Sequence, residues 1–247
     1  MKVTACIPAR MNSSRLPGKP LLDLAGKPIL QWVYEKATSH SSISEVLVLT
    51  EDQEVLEQAA KFGAKGLMTS TNAKSGTDRI FEILDSLNSD VVINLQGDEP
   101  GITLERIDAL IDAHRIDNHG IKTLCSKINS AESLFDFNVV KVVRDHKKKA
   151  MYFSRQAIPA QRDIGYAKWM DNASYYKHLG IYSFAFDTIK KLRSLKPSSL
   201  EGVEKLEQLR WLENGYDIEV LEVTEDQSFG IDTMDDLKKA RELWSSK

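Results

Sequence analysis

Short apolar runs rich in Val, Ile and Leu recur along this chain and alternate with longer stretches of helical period, a pattern open to few folds. Strands joined by crossover helices build a parallel sheet with helices on its faces, so a three-layer α/β/α protein is expected. The strand signals fall near 3–8, 45–50, 64–68, 90–95, 121–127, 138–144, 149–154, 178–184 and 217–223. Helical signals fall near 28–39, 52–62, 76–87, 103–116, 186–195, 200–214 and 233–245. The runs at 138–144 and 149–154 flank Asp145-His146-Lys147-Lys148 and read as a hairpin, which predicts a small antiparallel insertion in a mostly parallel mixed sheet. A length of 247 residues suits one large domain, so 1–247 is read as a single unit, with a β-rich lobe near 138–185. Residues 158–177 have little regular period and many aromatic and charged side chains, which fits a lid or a subunit contact.

The first strand signal, at 3–7, runs directly into Pro8-Ala9-Arg10-Met11-Asn12-Ser13-Ser14-Arg15-Leu16-Pro17-Gly18-Lys19-Pro20. Its cations would project from the carboxyl edge of the sheet, where open α/β sheets bind ligands. A Walker loop needs a glycine where Ser13 stands and a Ser or Thr where Pro20 stands, and no Gly-x-Gly-x-x-Gly occurs. Charge is left to do the binding: Arg10, Arg15 and Lys19 can meet the phosphates of a polyanion. The competing reading is an ordinary solvated basic loop.

Composition excludes other classes. Lys and Arg number 33 against 36 Asp and Glu, and a net charge of -3 argues against a dedicated nucleic-acid binder. Cys6 and Cys125 are too few and too poorly spaced for a metal site or a disulfide framework. No apolar run approaches the roughly 20 residues of a membrane span, and the first residues read as a sheet strand rather than a leader. A cytoplasmic location without membrane contact is expected.

Two acids suit the basic loop. Asp98, in Gln96-Gly97-Asp98-Glu99-Pro100, follows a buried strand signal, with Gly97 permitting close backbone approach and Pro100 ending the strand. A carboxylate beside a phosphate cradle can hold Mg²⁺ against a triphosphate; the alternative is an ordinary turn residue. Asp232 stands before the last helical signal and either caps it or completes a pair of metal-binding carboxylates. Ser75-Gly76 opens a helix and can cap it or bind a base, ribose or phosphate, while Arg79, one turn in, can face an acidic substrate. His178, Gly180 and Tyr182 share one strand face. Glu207 and Gln208 lie among the core-facing Leu206, Leu209 and Leu212, where solvated surface is the plain alternative.

Taken together, the blocks 8–10, 13–21, 26–29, 75–79, 96–100, 152–155, 178–182, 204–210 and 230–233 strongly resemble, in order over essentially the whole chain, the cytidylyltransferases that activate 3-deoxy-manno-octulosonate (Kdo). The resemblance implies a nucleotidyltransferase fold, a homodimer, and transfer of CMP from CTP to the anomeric 2-hydroxyl of a 3-deoxy-octulosonic acid, releasing pyrophosphate for lipopolysaccharide biosynthesis. It implies catalysis by Lys19, Arg15, Asp98 and Asp232, with Mg²⁺ on the two aspartates. It implies nucleotide binding by Pro8, Ala9, Arg10, Ser13, Arg15, Lys19, Ser75 and Gly76, and a sugar-acid pocket of Arg79, Gln96, Arg155, His178, Tyr182, Glu207 and Gln208. The chain departs from the family pattern at Ser70, Ala73-Lys74, Ala185 and Pro159-Ala160-Gln161-Arg162. These departures keep the 8-amino-8-deoxy octulosonate as an alternative substrate. More distant alternatives are an acylneuraminate cytidylyltransferase, a sugar 1-phosphate nucleotidyltransferase and a non-catalytic nucleotide or sugar-acid sensor.

Overall fold

The structure, a computed structural model, describes residues 1–13, 15–224 and 230–245; Ser14, which belongs to the basic loop, lies outside these. The chain divides into two compact units, Met1–Ile111 with Gln227–Lys247, and Asp112–Asp226.

The first unit begins with β1 (Val3–Pro8), whose residues are almost wholly buried. A short hairpin follows, β2 (Asp23–Leu24) with β3 (Lys27–Pro28), and then α1 (Ile29–Thr38), β4 (Glu45–Thr50), α2 (Gln53–Lys61), β5 (Lys65–Met68), α3 (Gly76–Ile83), β6 (Val91–Asn94) and α4 (Leu104–Ile116), within which the division falls. Strands run in the order β6-β1-β4-β5, all parallel, so every carboxyl end of this sheet points to one edge. That edge carries the basic loop after β1 and the Asp98 turn after β6.

The second unit holds β7 (Ile121–Lys127), α5 (Ala131–Phe135), β8 (Lys141–Arg144), β9 (Ala150–Ser154), α6 (Trp169–Asn172), β10 (Tyr176–Ala185), α7 (Phe186–Leu192), α8 (Ser199–Glu204), α9 (Gln208–Glu213) and β11 (Ile218–Glu222). Here β11 pairs parallel with β7, β7 antiparallel with β10, β10 with β8, and β8 with β9, the expected hairpin. The chain then returns to the first unit with α10 (Met234–Ser245). The α/β class, the mostly parallel mixed sheet and the antiparallel insertion are thus as expected. No helix of the described residues is long and apolar enough to cross a membrane.

One expectation needs correction. The helix anticipated at 200–214 is two helices, α8 and α9, because Lys205 turns left-handed (φ 55°) and ends α8 with its N–H on the Glu201 carbonyl. The register of β10 on β7 shifts between Leu179 and Tyr182, and His178 and Tyr182, opposite Cys125 and Thr123, keep the shared face expected of them. Residues 158–177 contain α6, with Trp169 stacked on Tyr175 at 6.1 Å and buried with Ile128 and Leu134.

Candidate active site

The basic loop is anchored by one apolar side chain. Leu16 is buried with Leu24, Ile29, Ile231, Leu237 and Ala240, so the loop and the start of α10 share a core. The Gly18 N–H donates to the Met11 carbonyl at 2.9 Å, and the Met11 N–H donates to Asp52 Oδ2 at 2.7 Å. Closing the loop this way leads into a single 3₁₀ turn, Lys19–Leu21, that turns Lys19 inward.

Lys19 is the centre of the site. Its ammonium donates to Asp98 Oδ2 at 2.6 Å and to Asp232 Oδ1 at 2.8 Å, while Arg15 Nη2 reaches the other oxygen of Asp232 at 3.0 Å. The lysine side chain is 8% exposed and the two carboxylates 34% and 44% exposed, so the acids keep a face toward the cleft. Burial works to lower the Lys19 pKa, but Asp98 and Asp232 outweigh it and hold the group above its ordinary value, fully protonated.

Asp232 does not cap α10. Thr233 does: its hydroxyl accepts from the Asp236 N–H at 3.2 Å, and Asp236 Oδ2 accepts from the N–H groups of Asp232 and Thr233. Asp232 is thereby left for Lys19 and Arg15. The capping reading of Ser75, by contrast, holds for its side chain, which accepts from the Asp78 N–H at 3.0 Å while the Ser75 N–H donates to the Asp78 carboxylate. Two glycines let the backbone crowd Pro8: a Cβ at Gly97 would lie 2.8 Å from the Pro8 carbonyl oxygen, and one at Gly76 would lie 2.9 Å from Pro8 Cγ.

Lys19, Arg15 and both carboxylates line one cleft of about 280 Å³, together with Ser75, Gly76, Gly97 and Pro8. Pro8, Ala9, Arg10, Ser13, Arg15, Lys19, Ser75, Gly76, Arg79, Gln96, Asp98 and Asp232 are brought together there, every residue expected in the nucleotide, catalytic and metal sets and two of the sugar-acid set. Sequence reasoning missed Pro20 and gave Lys74 no role, although Lys74 sits directly before the α3 cap. It also missed Glu51. Arg79 lines the cleft, but its guanidinium pairs with Glu51 and donates to Thr69 Oγ1 at 2.7 Å, so its charge is already countered within the fold. An acid at the carboxyl end of β4, on the ligand-binding edge, was the available signal.

The other expected sugar-acid residues belong to the second unit. Arg155 is held by Glu204 and by the Phe137 carbonyl. His178 Nε2 lies 2.9 Å from Thr123 Oγ1, its ring 5.3 Å from that of Tyr182, and desolvation lowers its pKa to about 3, which keeps it neutral. Tyr182 is 6% exposed and packs edge-on against Trp211 at 5.1 Å, and burial followed by the Glu207 charge raises its pKa well above the usual value. Glu207 and Gln208 stand at the start of α9, and Gln208 is 4% exposed, which removes the solvated-surface reading for it.

The donor set suits a hard cation. Asp98 and Asp232 already converge on one positive charge, the Lys19 ammonium, and carboxylate oxygens are what Mg²⁺ takes. Among the described residues no cluster of three or more His, Cys, Asp or Glu is placed to hold a metal, so substrate oxygens and water would complete the shell.

Residues 4–218 match the family model described as Cytidylyltransferase. A 3-deoxy-manno-octulosonate cytidylyltransferase of Thermodesulfovibrio yellowstonii is 48% identical over 247 residues, 96% of each chain. A solved CMP:2-keto-3-deoxy-manno-octonic acid synthetase complexed with CTP superposes with a TM-score of 0.91 at 40% identity, covering 100% of this chain and 99% of the other. A 4-diphosphocytidyl-2C-methyl-D-erythritol synthase from Anaerococcus prevotii shares the fold, with a TM-score of 0.64 at 16% identity over 99% and 98% of the two chains.

Proposed function

This chain belongs to the 3-deoxy-manno-octulosonate cytidylyltransferase family, and on that premise we propose that it transfers CMP from CTP to the anomeric 2-hydroxyl of Kdo. The observation that carries the reading is Lys19 held between Asp98 and Asp232 in a cleft walled by the basic loop and the Ser75-Gly76 helix start. Arg10, Arg15 and Lys19 bind the triphosphate and offset its charge, and the ammonium of Lys19 stands nearest the two acids, where the α-phosphate is set. Pro8, Ala9, Ser75 and Gly76 hold the cytidine, with Gly76 and Gly97 giving the close packing around Pro8 that shapes this wall. In the second unit, Arg155, His178, Tyr182, Glu207 and Gln208 bind the sugar acid, with Gln96 and Arg79 assigned to the same set.

The anomeric hydroxyl attacks the α-phosphorus in line; a new P–O bond forms, the bond to pyrophosphate breaks, and the hydroxyl proton leaves to solvent. Positioning and charge neutralisation supply the rate, and no covalent intermediate is needed. Mg²⁺ bound by Asp98 and Asp232 would neutralise phosphate charge and lower the pKa of the attacking hydroxyl. The two relatives at 48% and 40% identity are named for Kdo, so Kdo rather than its 8-amino form is taken as substrate.

The product serves lipopolysaccharide biosynthesis in the cytoplasm, and the working form is a homodimer joined through the 138–185 lobe. Supporting that contact, Met151 and Tyr166 of this stretch are 66% and 69% exposed despite being large and apolar. Sedimentation of a monomer at micromolar concentration would refute the dimer.

Pyrophosphate release tests the reaction. It is expected with CTP, Mg²⁺ and Kdo together and not with UTP in place of CTP. Release confined to a nonulosonate, or CTP binding without turnover on any sugar acid, would overturn the assignment.

A further inference from the structure

Lys141 is fully buried, yet among the described residues no carboxylate stands within ion-pair distance of its ammonium. Its Nζ donates instead to three main-chain carbonyls, those of Asp136 at 2.9 Å, Val139 at 2.6 Å and Arg155 at 2.5 Å. A buried charge is unfavourable unless hydrogen bonds satisfy it, and burial pulls this lysine's pKa down. A methionine would fill similar space at no such cost. What the ammonium does, and methionine cannot, is bind together the loop before β8 and the residue that follows β9. Lys141 and Ser154 face each other in the β8–β9 register, so the clamp closes at the mouth of that hairpin.

Both of the joined segments orient one guanidinium. Arg155 Nη1 donates to the Phe137 carbonyl at 3.0 Å, inside the loop that Lys141 holds at Asp136 and Val139. Arg155 Nε donates to the Glu204 carbonyl at 2.8 Å, and the Arg155 N–H donates to Glu204 Oε2 at 2.9 Å. Glu204 is itself fixed by the Ser154 hydroxyl, which donates to Oε1 at 2.7 Å. The main chain of Arg155 is therefore held at its N–H by Glu204 and at its carbonyl by Lys141, while Nη2 makes no hydrogen bond among the described residues. A guanidinium held at Nε and Nη1 with Nη2 open is prepared for an outside carboxylate.

We propose that Lys141 and Glu204 are positioning residues that set Arg155 to receive the carboxylate of the sugar acid, acting through Arg155 without touching the substrate. This rests on the reading of Arg155 as a sugar-acid contact. Steady-state kinetics on the full chain test both, using Lys141→Met, Glu204→Gln, Arg155→Ala and the double variant Lys141→Met with Arg155→Ala. Two positioning variants are used so that failure of one to fold leaves the other to decide. The KM for Kdo is expected to rise about tenfold in each positioning variant, the scale of one lost charge-assisted hydrogen bond, with the KM for CTP within about twofold of the parent. Arg155→Ala is expected to raise the same constant at least as far, and the double variant to add nothing to it. If Arg155→Ala raises the KM for Kdo but the positioning variants leave it unchanged, the positioning role falls and the site reading stands. Should Arg155→Ala leave it unchanged, the reading of Arg155 falls and the positioning role with it. Equal rises for Kdo and CTP would mark general loosening and also overturn the proposal.

Discussion

The main-chain N–H of Ile231 donates to the carbonyl of Asp98 at 2.9 Å, joining two turns that lie more than a hundred residues apart in the chain. Each turn carries one of the carboxylates bound to Lys19. Because the backbone fixes both turns, the acids are held side by side by hydrogen bonds that their own charges do not supply. Charge removal and fold are therefore separable at this site.

Asp98→Asn and Asp232→Asn are each expected to lower pyrophosphate release by about 10²-fold or more, with far-ultraviolet circular dichroism unchanged. Thr233→Ala, one residue along, should behave in the opposite way: it costs about 1 kcal/mol of stability through the lost cap and leaves most turnover intact. A near-normal rate in Asp98→Asn would refute the role given to the pair.

Leu16→Ala should destabilise the protein by about 2–5 kcal/mol, because it opens a hole in the core shared by the basic loop and α10. The same hole loosens the loop that carries Arg15 and Lys19. The KM for CTP is accordingly expected to rise more than that for Kdo, measured by denaturant titration and kinetics on the same preparation.

Much of this arrangement was legible in the chain itself, and the failures have physical causes. Strands β1, β4 and β6 showed because each is a short, almost unbroken apolar run, and the loop from Arg10 to Lys19 showed because its three cations follow such a run. The break between α8 and α9 did not, since Val203, Leu206 and Leu209 keep helical phase across Lys205 and only its left-handed backbone reveals the stop. The pairing of Arg79 with Glu51 was hidden because it joins α3 to the end of β4, a contact that no local period encodes. Asp232 was ambiguous for the same reason. Whether it or Thr233 caps α10 depends on where Lys19 lies, far off in sequence.

Gly97→Ala offers a sharper test of the wall around Pro8. Its new Cβ would lie 2.8 Å from a main-chain oxygen, which cannot move aside as a side-chain tip would. A loss of about 1–3 kcal/mol is expected from overpacking, together with a raised KM for CTP as Pro8 and the Asp98 turn separate. A variant with parent stability and parent kinetics would show that the turn yields freely and positions nothing.

Stability should also depend on pH through a histidine remote from the chemistry. His114 is 1% exposed, with Nε2 3.0 Å from Ser183 Oγ, and burial, aided by the charge of Lys122, lowers its pKa from 6.5 to about 4. Between those values the unfolded chain binds a proton that the folded chain refuses. The contribution is therefore complete above about pH 6.5, declines as pH falls, and levels off once pH passes the folded value near 4. At pH 5 the loss from His114 is on the order of 2 kcal/mol, and the lowered pKa of His178 adds to the same slope. Urea midpoints taken from pH 7.5 to 5 should fall for the parent and fall less steeply for His114→Gln, which has no proton to take up. Parallel curves for the two proteins would mean that His114 accepts its proton without leaving the fold.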